Sequence, residues 1–171
     1  MDRRVLFPPA FLGVTLGSFF LTLLFLDTGA PLPALQQPAS DRLGTQRLAS
    51  FAELPSIASQ IGLKLATNMH GNIDTLSRID QRDVMMAGWI ADTEGDATPN
   101  ELLIFVGGSL AARTKTRGER PDVQQRLNLY FGSEKNLTFQ VNFACHSGEQ
   151  PVAVALGQGG RYFGLPAPAC P

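Results

Sequence analysis

The chain begins with one long apolar run, whereas every later apolar stretch is short. From Val5 to Leu26 about 22 residues carry no charge, and a helix needs about 20 apolar residues to cross a hydrocarbon core of about 30 Å. Two arginines precede the run, and the next basic residue is Arg42. By the positive-inside rule, the N-terminus lies in the cytoplasm and the rest lies outside. Residues 1–27 are therefore predicted to form a cytoplasmic tip and a single transmembrane helix.

A cleavable signal peptide is the alternative interpretation of this run. Such peptides usually hold about 7 to 15 apolar residues and end in a small-x-small cleavage site. The candidate site "TGA" is followed by Pro31, and "LPA" has Leu32 where a small residue is needed. Both features favour a permanent anchor.

Two glycines of the run, Gly13 and Gly17, lie four positions apart and so share one helix face, with Ser18 beside them. In lipid, small residues let two helix backbones approach closely, which supplies the packing that holds membrane helices together. The spacing predicts packing against another membrane helix, with other transmembrane subunits and membrane lipids as partners. Glycine is common in membrane helices generally, so a chance pattern in a simple tether stays open.

The next segment is predicted to contain a linker and a helix. Residues 28–49 are rich in Pro and Ala without a sustained period, as in a linker. Residues 50–67 begin with Ser50 and Glu53 in the spacing of a capping box. Apolar residues then recur at helical intervals, which predicts a short amphipathic helix. They are Phe51, Leu54, Ile57 and Ile61.

Residues 68–171 change to the period of two that is typical of β-strands. In "NLTFQVNFAC" apolar and polar residues alternate, whereas "ELLIFVGG" is continuously apolar, as in a fully buried strand. Further strands are predicted in "DVMMAGWIAD", "RLNLYFG", "PVAVALG" and "GRYFGL". Six or seven short strands separated by turn residues predict a mainly β domain, namely an Ig-like antiparallel β-sandwich after the transmembrane helix.

Composition and charge narrow the function classes only a little. With 171 residues and 44% hydrophobic content, the chain supports one domain plus an anchor. A net charge of −1 gives no sign of the strongly basic face that a nucleic-acid-binding protein presents. Nucleic acid is therefore not an expected partner.

The two cysteines, Cys145 and Cys170, both fall in the domain that is predicted to lie outside. An oxidising location permits a disulfide, which would tie down the Pro-rich C-terminal tail. A metal pair or a reactive thiol is the alternative. His146 follows Cys145 directly, but adjacent strand residues point to opposite faces and do not easily meet.

Four short motifs in residues 71–143 together resemble a small β-sandwich module of bacterial proteins. The motifs are "GNID", "MMAGWIAD", "PNELLIFVGG" and "RPDV". The module is often attached to glycosyltransferases and surface-polysaccharide proteins, and no catalytic role is established for it. The resemblance implies a β-sandwich associated with the bacterial cell envelope, and it implies no reaction. Gly107 stands where the module often has an aspartate, which weakens any binding role for that turn.

The residues of these motifs also have structural interpretations. Trp89 alternates onto a buried face and is predicted to anchor a core. Asp92 and Pro99 bracket a hairpin-like loop, and Arg120-Pro-Asp122 reads as a turn. Arg120 has Asp122 and Asp92 as candidate partners for an ion pair.

One surface pattern is a candidate binding site. In "ARTKTRGER" the cations Arg113, Lys115 and Arg117 recur every second residue, which in a strand places all three along one face. Charge that protects an edge strand from aggregation explains the pattern as well. Exposed aromatic rings favour sugar binding, and Tyr130 and Tyr162 are the candidates.

No pattern in the sequence is typical of an enzyme. The two histidines, His70 and His146, have no metal-ligand spacing, and no Ser, His and Asp grouping has a nucleophile signature. We expect neither catalysis nor a cofactor nor a metal.

These observations favour a non-enzymatic, single-pass accessory subunit of a larger membrane protein complex. It would lie in the bacterial inner membrane, with the N-terminus cytoplasmic and a periplasmic β-sandwich making protein–protein contacts. The alternative is an envelope carbohydrate-binding module linked to polysaccharide metabolism, with a glycan as its partner.

Overall fold

The computed structural model describes residues 37–94, 100–129 and 136–171, which all belong to one unit, Gln37–Pro171. The predicted membrane segment, with Gly13, Gly17 and Ser18, lies outside the described residues. In the ranges described, no helix is long and apolar enough to span a membrane. The helices there are α1 (Ala39–Gly44), α2 (Leu54–Gln60) and α3 (Pro121–Leu127), with 3-10 turns at Phe51–Glu53 and Gln158–Gly160. The strands are β1 (Lys64–Leu65), β2 (Met69–Arg78), β3 (Asp83–Asp92), β4 (Glu101–Val106), β5 (Ser109–Lys115), β6 (Thr138–Ala144), β7 (Val152–Gly157) and β8 (Arg161–Leu165).

The strands form two sheets, which confirms the mainly β architecture. The five-stranded sheet has the order β1-β8-β7-β4-β5, and the three-stranded sheet has the order β2-β3-β6. Neighbouring strands run antiparallel except that β1 and β8 are parallel. The prediction of a wholly antiparallel fold is therefore wrong at that edge.

The main core takes side chains from both sheets, as in a sandwich. In β6 every second residue is buried, as the alternation predicts, while Gln140 and Asn142 between them are exposed. The main core cluster includes the following residues of the two sheets: Val84, Met86, Phe139, Val141 and Phe143 from the three-stranded sheet, and Leu102, Ile104, Ala153 and Ala155 from the five-stranded sheet.

A second cluster covers the outer face of the five-stranded sheet. Leu43, Leu48 and Leu54 from the N-terminal part of the unit pack there with Leu103 and Phe105 of β4. Strand β4 is thus buried on both faces, which explains why its sequence is continuously apolar. The predicted linker, residues 28–49, is too long, since Leu43 and Leu48 are completely buried.

The predicted helix over residues 50–67 is also shorter in the structure. The 3-10 turn and α2 end at Gln60, and Lys64–Leu65 is a strand. The capping box does not form, because Glu53 accepts a hydrogen bond from the backbone N–H of Ala49 and the Ser50 side chain makes no capping bond.

Two other local predictions are also wrong. The segment "RLNLYFG" is not a strand over Leu127, which ends α3, and the following Asn128 is left-handed with φ 54°. A left-handed residue of this kind is a common helix end. Strands β3 and β4, which flank the predicted hairpin-like loop between Asp92 and Pro99, belong to different sheets and do not form a hairpin.

Candidate functional site

Strand β2 carries a β-bulge at Asp74, where its pairing with β3 shifts by one residue beside Gly88. A Cβ on Gly88 would lie 2.1 Å from the carbonyl oxygen of Asn72 and 2.8 Å from Cζ of Phe139. Only a residue without a Cβ therefore fits at this close approach of two backbones. The glycine of the "GW" motif permits the bulge, and the bulge sets the position of Asp74.

Arg120 connects the bulge to α3. Its Nε and Nη2 donate to the two carboxylate oxygens of Asp122 at 2.8 and 2.6 Å, and its Nη1 donates to Oδ2 of Asp74 at 2.6 Å. Asn72 Nδ2 donates to the other oxygen of Asp74 at 2.9 Å. Of the two candidate partners of Arg120, Asp122 is the one that pairs with it directly, through two parallel hydrogen bonds, which is the strong geometry for this kind of pair.

These hydrogen bonds stabilise the charged forms of Arg120 and Asp122. The bond from Arg120 is the main reason why the pKa of Asp122 falls to about 2. Asp122 and then Asp74 raise the pKa of Arg120 above its ordinary value. Arg120 and Asp122 therefore stay charged at neutral pH.

Asp92 has a different partner from the one considered in the sequence. Arg161 Nη2 donates to Oδ2 of Asp92 at 2.6 Å, and Asn68 donates to Oδ1. The Asp92 side chain is 6% exposed and that of Arg161 is 24% exposed. The pair joins β3 to β8, so the aspartate of the "GWIAD" motif holds the two sheets together.

Trp89 is 9% exposed, as expected of a core anchor. It packs on the outer face of the three-stranded sheet with Val123 of α3 and with Leu129 and Leu137. This third cluster fixes α3, and therefore Arg120, against the sheet.

A cavity of about 600 Å³ opens beside this cluster, and we call it the sheet-face cavity. Its lining includes Thr75, Ala87 and Gln140 from the three strands, together with Lys115 and Arg117. A second cavity of about 460 Å³ is lined by Trp89 and Arg126 among others. Asp74 and Arg120 line both cavities, so their ion pair lies where the two adjoin.

The three cations of "ARTKTRGER" do not belong to one site in the structure. Arg113 Nη1 donates to Asp41 of the N-terminal segment at 2.8 Å. Lys115 and Arg117 line the sheet-face cavity, and Lys115 also lines a smaller cavity beside α1. Arg117 lies beyond β5 and pairs through its backbone with Thr138 of β6. Strand β5 is an edge strand of its sheet, as the protective interpretation requires.

The aromatic candidates do not supply a sugar-binding platform in the described residues. Tyr162 is 5% exposed and belongs to the cluster beneath the N-terminal segment, so its assignment to the surface is wrong. Tyr130 lies outside the described residues.

Cys145 and Cys170 form a disulfide, which confirms the predicted pairing, and neither is a free thiol. The tail is also held by backbone bonds from Gly148 to Cys170 and from Cys170 to Glu149. The backbone N–H of His146 is the main cause of a lowered pKa of Glu149. Across residues 37–94, 100–129 and 136–171, no group of three His, Cys, Asp or Glu side chains is placed to hold a metal.

The sequence analysis did not predict that these residues come together in one site. Asp74 was visible only as the last residue of "GNID", and Arg120 only as the first of "RPDV", with 46 positions between them. Thr75 and Gln140 gave no signal. The one signal that could have indicated the site is that "GNID" and "RPDV" occur in the same chain, because the ion pair of Asp74 and Arg120 joins these two motifs.

Comparison of the chain with protein-family models, with curated proteins and with solved structures gives no match. The resemblance to the envelope module therefore stays a prediction.

Proposed function

We propose that this chain is a non-enzymatic, single-pass accessory subunit of a larger bacterial membrane protein complex. Its N-terminal helix packs against other transmembrane helices, and the domain Gln37–Pro171 makes protein–protein contacts in the periplasm. The observation that carries the proposal is an uncharged span of about 22 residues followed by a disulfide-closed domain. Disulfides persist in oxidising compartments such as the periplasm, so the two features support the same orientation.

Purification of the full chain in mild detergent tests this function. We expect the chain to recover together with other membrane proteins, which mass spectrometry then identifies. A chain that runs as a lone monomer at every detergent concentration would contradict the proposal.

A second candidate function is an Ig-like carbohydrate-binding module of the envelope. The observation that favours it is the sheet-face cavity, which is lined by polar strand residues and by the Arg120 network. Calorimetric titration of the full chain with sugars up to millimolar concentration tests it. The fragment 68–171 is unsuitable, since it lacks the buried Leu43, Leu48 and Leu54. A folded chain that binds no sugar at that concentration would exclude this function.

A further inference from the structure

Two cations in the sheet-face cavity have no described partner of opposite charge. Lys115 and Arg117 both line the cavity and both are exposed. In the described part of the chain neither forms an ion pair, whereas Arg113 and Arg120 each pair with carboxylates. These two cations place positive charge along one side of the cavity; the described carboxylates in this region are Asp74, which lines the cavity, and Glu101, the cross-strand neighbour of Lys115.

The opposite side of the cavity is a fixed set of donors and acceptors. Arg120 uses three hydrogen bonds to hold Asp74 and Asp122, and a guanidinium has five N–H donors in all. Two of the five thus have no hydrogen-bond partner among the described residues. Because Arg120 is already held in place, a ligand that binds there does not have to order it.

Between these two sides the cavity is lined by small and polar residues. Ala87 and Gly88 bring little side-chain volume, and Thr75 and Gln140 offer a hydroxyl and an amide. A ligand that fits must carry many hydrogen-bonding groups, because burial of polar groups without partners is costly. Polyhydroxylated molecules have this property.

From this arrangement we infer that the sheet-face cavity binds an acidic saccharide. Its carboxylate lies beside Lys115 and Arg117, and its hydroxyls bond to Arg120, Thr75 and Gln140. The inference rests on the carbohydrate-binding function proposed above and names the class of sugar. A ligand with closely spaced negative charges is disfavoured, since the carboxylates of Asp74 and Asp122 lie beside Arg120 and repel it.

The test is calorimetric titration of the full chain in detergent with two probes, galacturonate and galactose, which differ by one carboxylate. We expect the acidic probe to bind at least about tenfold more tightly than the neutral one, since hydrogen bonds to charged groups are the stronger kind. The double variant Lys115→Gln, Arg117→Gln should abolish that preference. Arg113→Gln is the matched control, because Arg113 pairs with Asp41 instead, and it should leave the preference intact.

The outcomes separate the inference from the function it rests on. Equal binding of the two probes, or a preference that survives the double variant, overturns the acidic saccharide while the carbohydrate function stands. A chain with an unchanged circular dichroism spectrum that binds neither probe overturns both. Both substituted residues are exposed, so we expect the double variant to fold.

Discussion

Arg120 shows at the scale of single residues how one side chain organises a surface. It is 28% exposed, yet its pairs with Asp74 and Asp122 connect a strand bulge to a helix. Exposed ion pairs usually contribute little to stability, but a forked arginine pair within a network is the favourable exception. We therefore regard Arg120 as a residue that positions the sheet-face cavity.

Replacement of Arg120 should be visible in the ionisation of Asp122. In Arg120→Gln we expect the pKa of Asp122 to rise from about 2 towards the ordinary aspartate value of about 3.9. Titration of the carboxyl carbon by NMR measures it. Arg126→Gln, which removes an equal charge from the same helix, should leave Asp122 near its original pKa.

The same pKa has a consequence for stability against pH. A carboxylate with a lowered folded-state pKa stabilises the fold above the unfolded value of about 3.9, and this contribution is lost as the pH falls towards about 2. Acid unfolding of wild type and Arg120→Gln should therefore differ above about pH 4 and converge towards pH 2. A constant difference across that window would contradict the assigned pair.

Trp89→Ala tests the third core cluster. We expect a loss of about 3 to 5 kcal/mol in the free energy of unfolding, the usual cost of removing a large aromatic side chain from a core. Denaturant unfolding gives the value, and Ile79→Ala, at a residue that is 52% exposed, is the control with little effect. An unchanged midpoint in Trp89→Ala would show that the indole does not anchor α3.

At the scale of elements, periodicity predicted the strands well where one or both faces are buried. Strands β3, β4 and β6 lie where the alternating or continuous apolar patterns placed them. Periodicity failed around Leu127, where two alternating leucines span the end of α3 and a left-handed Asn128. It also missed α1, since six residues are too few to show a helical period.

Side-chain pairs between elements could not be predicted, because they depend on which strands become neighbours. Arg161 and Asp92 are 69 positions apart and meet only through the packing of β8 against the other sheet. From the sequence, Arg120 was a candidate partner of Asp92. That candidate is wrong, because no local sequence pattern shows which strands become neighbours. The candidate site has the same origin, and only its separate motifs were visible beforehand.

The bulge in β2 yields a prediction about Gly88. In Gly88→Ala the new Cβ would overlap the carbonyl oxygen of Asn72, so the backbone must shift at a loss of about 1 to 3 kcal/mol. Hydrogen exchange should show faster opening of β2. Gly107→Ala is the control, since φ is +58° there but no atom lies within 4 Å, and strain alone should cost about 1 kcal/mol. Unchanged exchange of β2 in Gly88→Ala, or equally fast exchange of β2 in Gly107→Ala, would contradict the close approach.

At the scale of the whole molecule, both ends of the described unit are tied to the sheets. The N-terminal segment covers the five-stranded sheet through Leu43 and Leu48, and the disulfide holds the tail to the end of β6. The disulfide could be predicted from the sequence, because only two cysteines were present. The packing of Leu43 and Leu48 was not predicted, because both residues lie in the segment interpreted as a linker. Buried leucines in a Pro-rich segment gave no periodic signal.

Removal of the disulfide should destabilise the domain measurably. We expect Cys145→Ala, Cys170→Ala to lose about 3 kcal/mol in the free energy of unfolding, as the loop-closure estimate gives for a loop of this size. Intact mass without reductant should show two hydrogens fewer than the reduced chain. Two free thiols in that measurement would contradict the pairing.

The central claim is that the chain is a subunit whose N-terminal helix packs against another membrane helix through Gly13 and Gly17. The most direct measurement is copurification of the full chain after both glycines are replaced by leucine, which keeps the length and hydrophobicity of the span. If the helix packs closely against a partner, the added side chains separate the two backbones and remove that packing. We predict loss of the partners in this variant and full recovery in a control with Leu21→Ala and Leu24→Ala. Equal recovery of partners in the two variants would contradict the claim and leave this segment as an anchor.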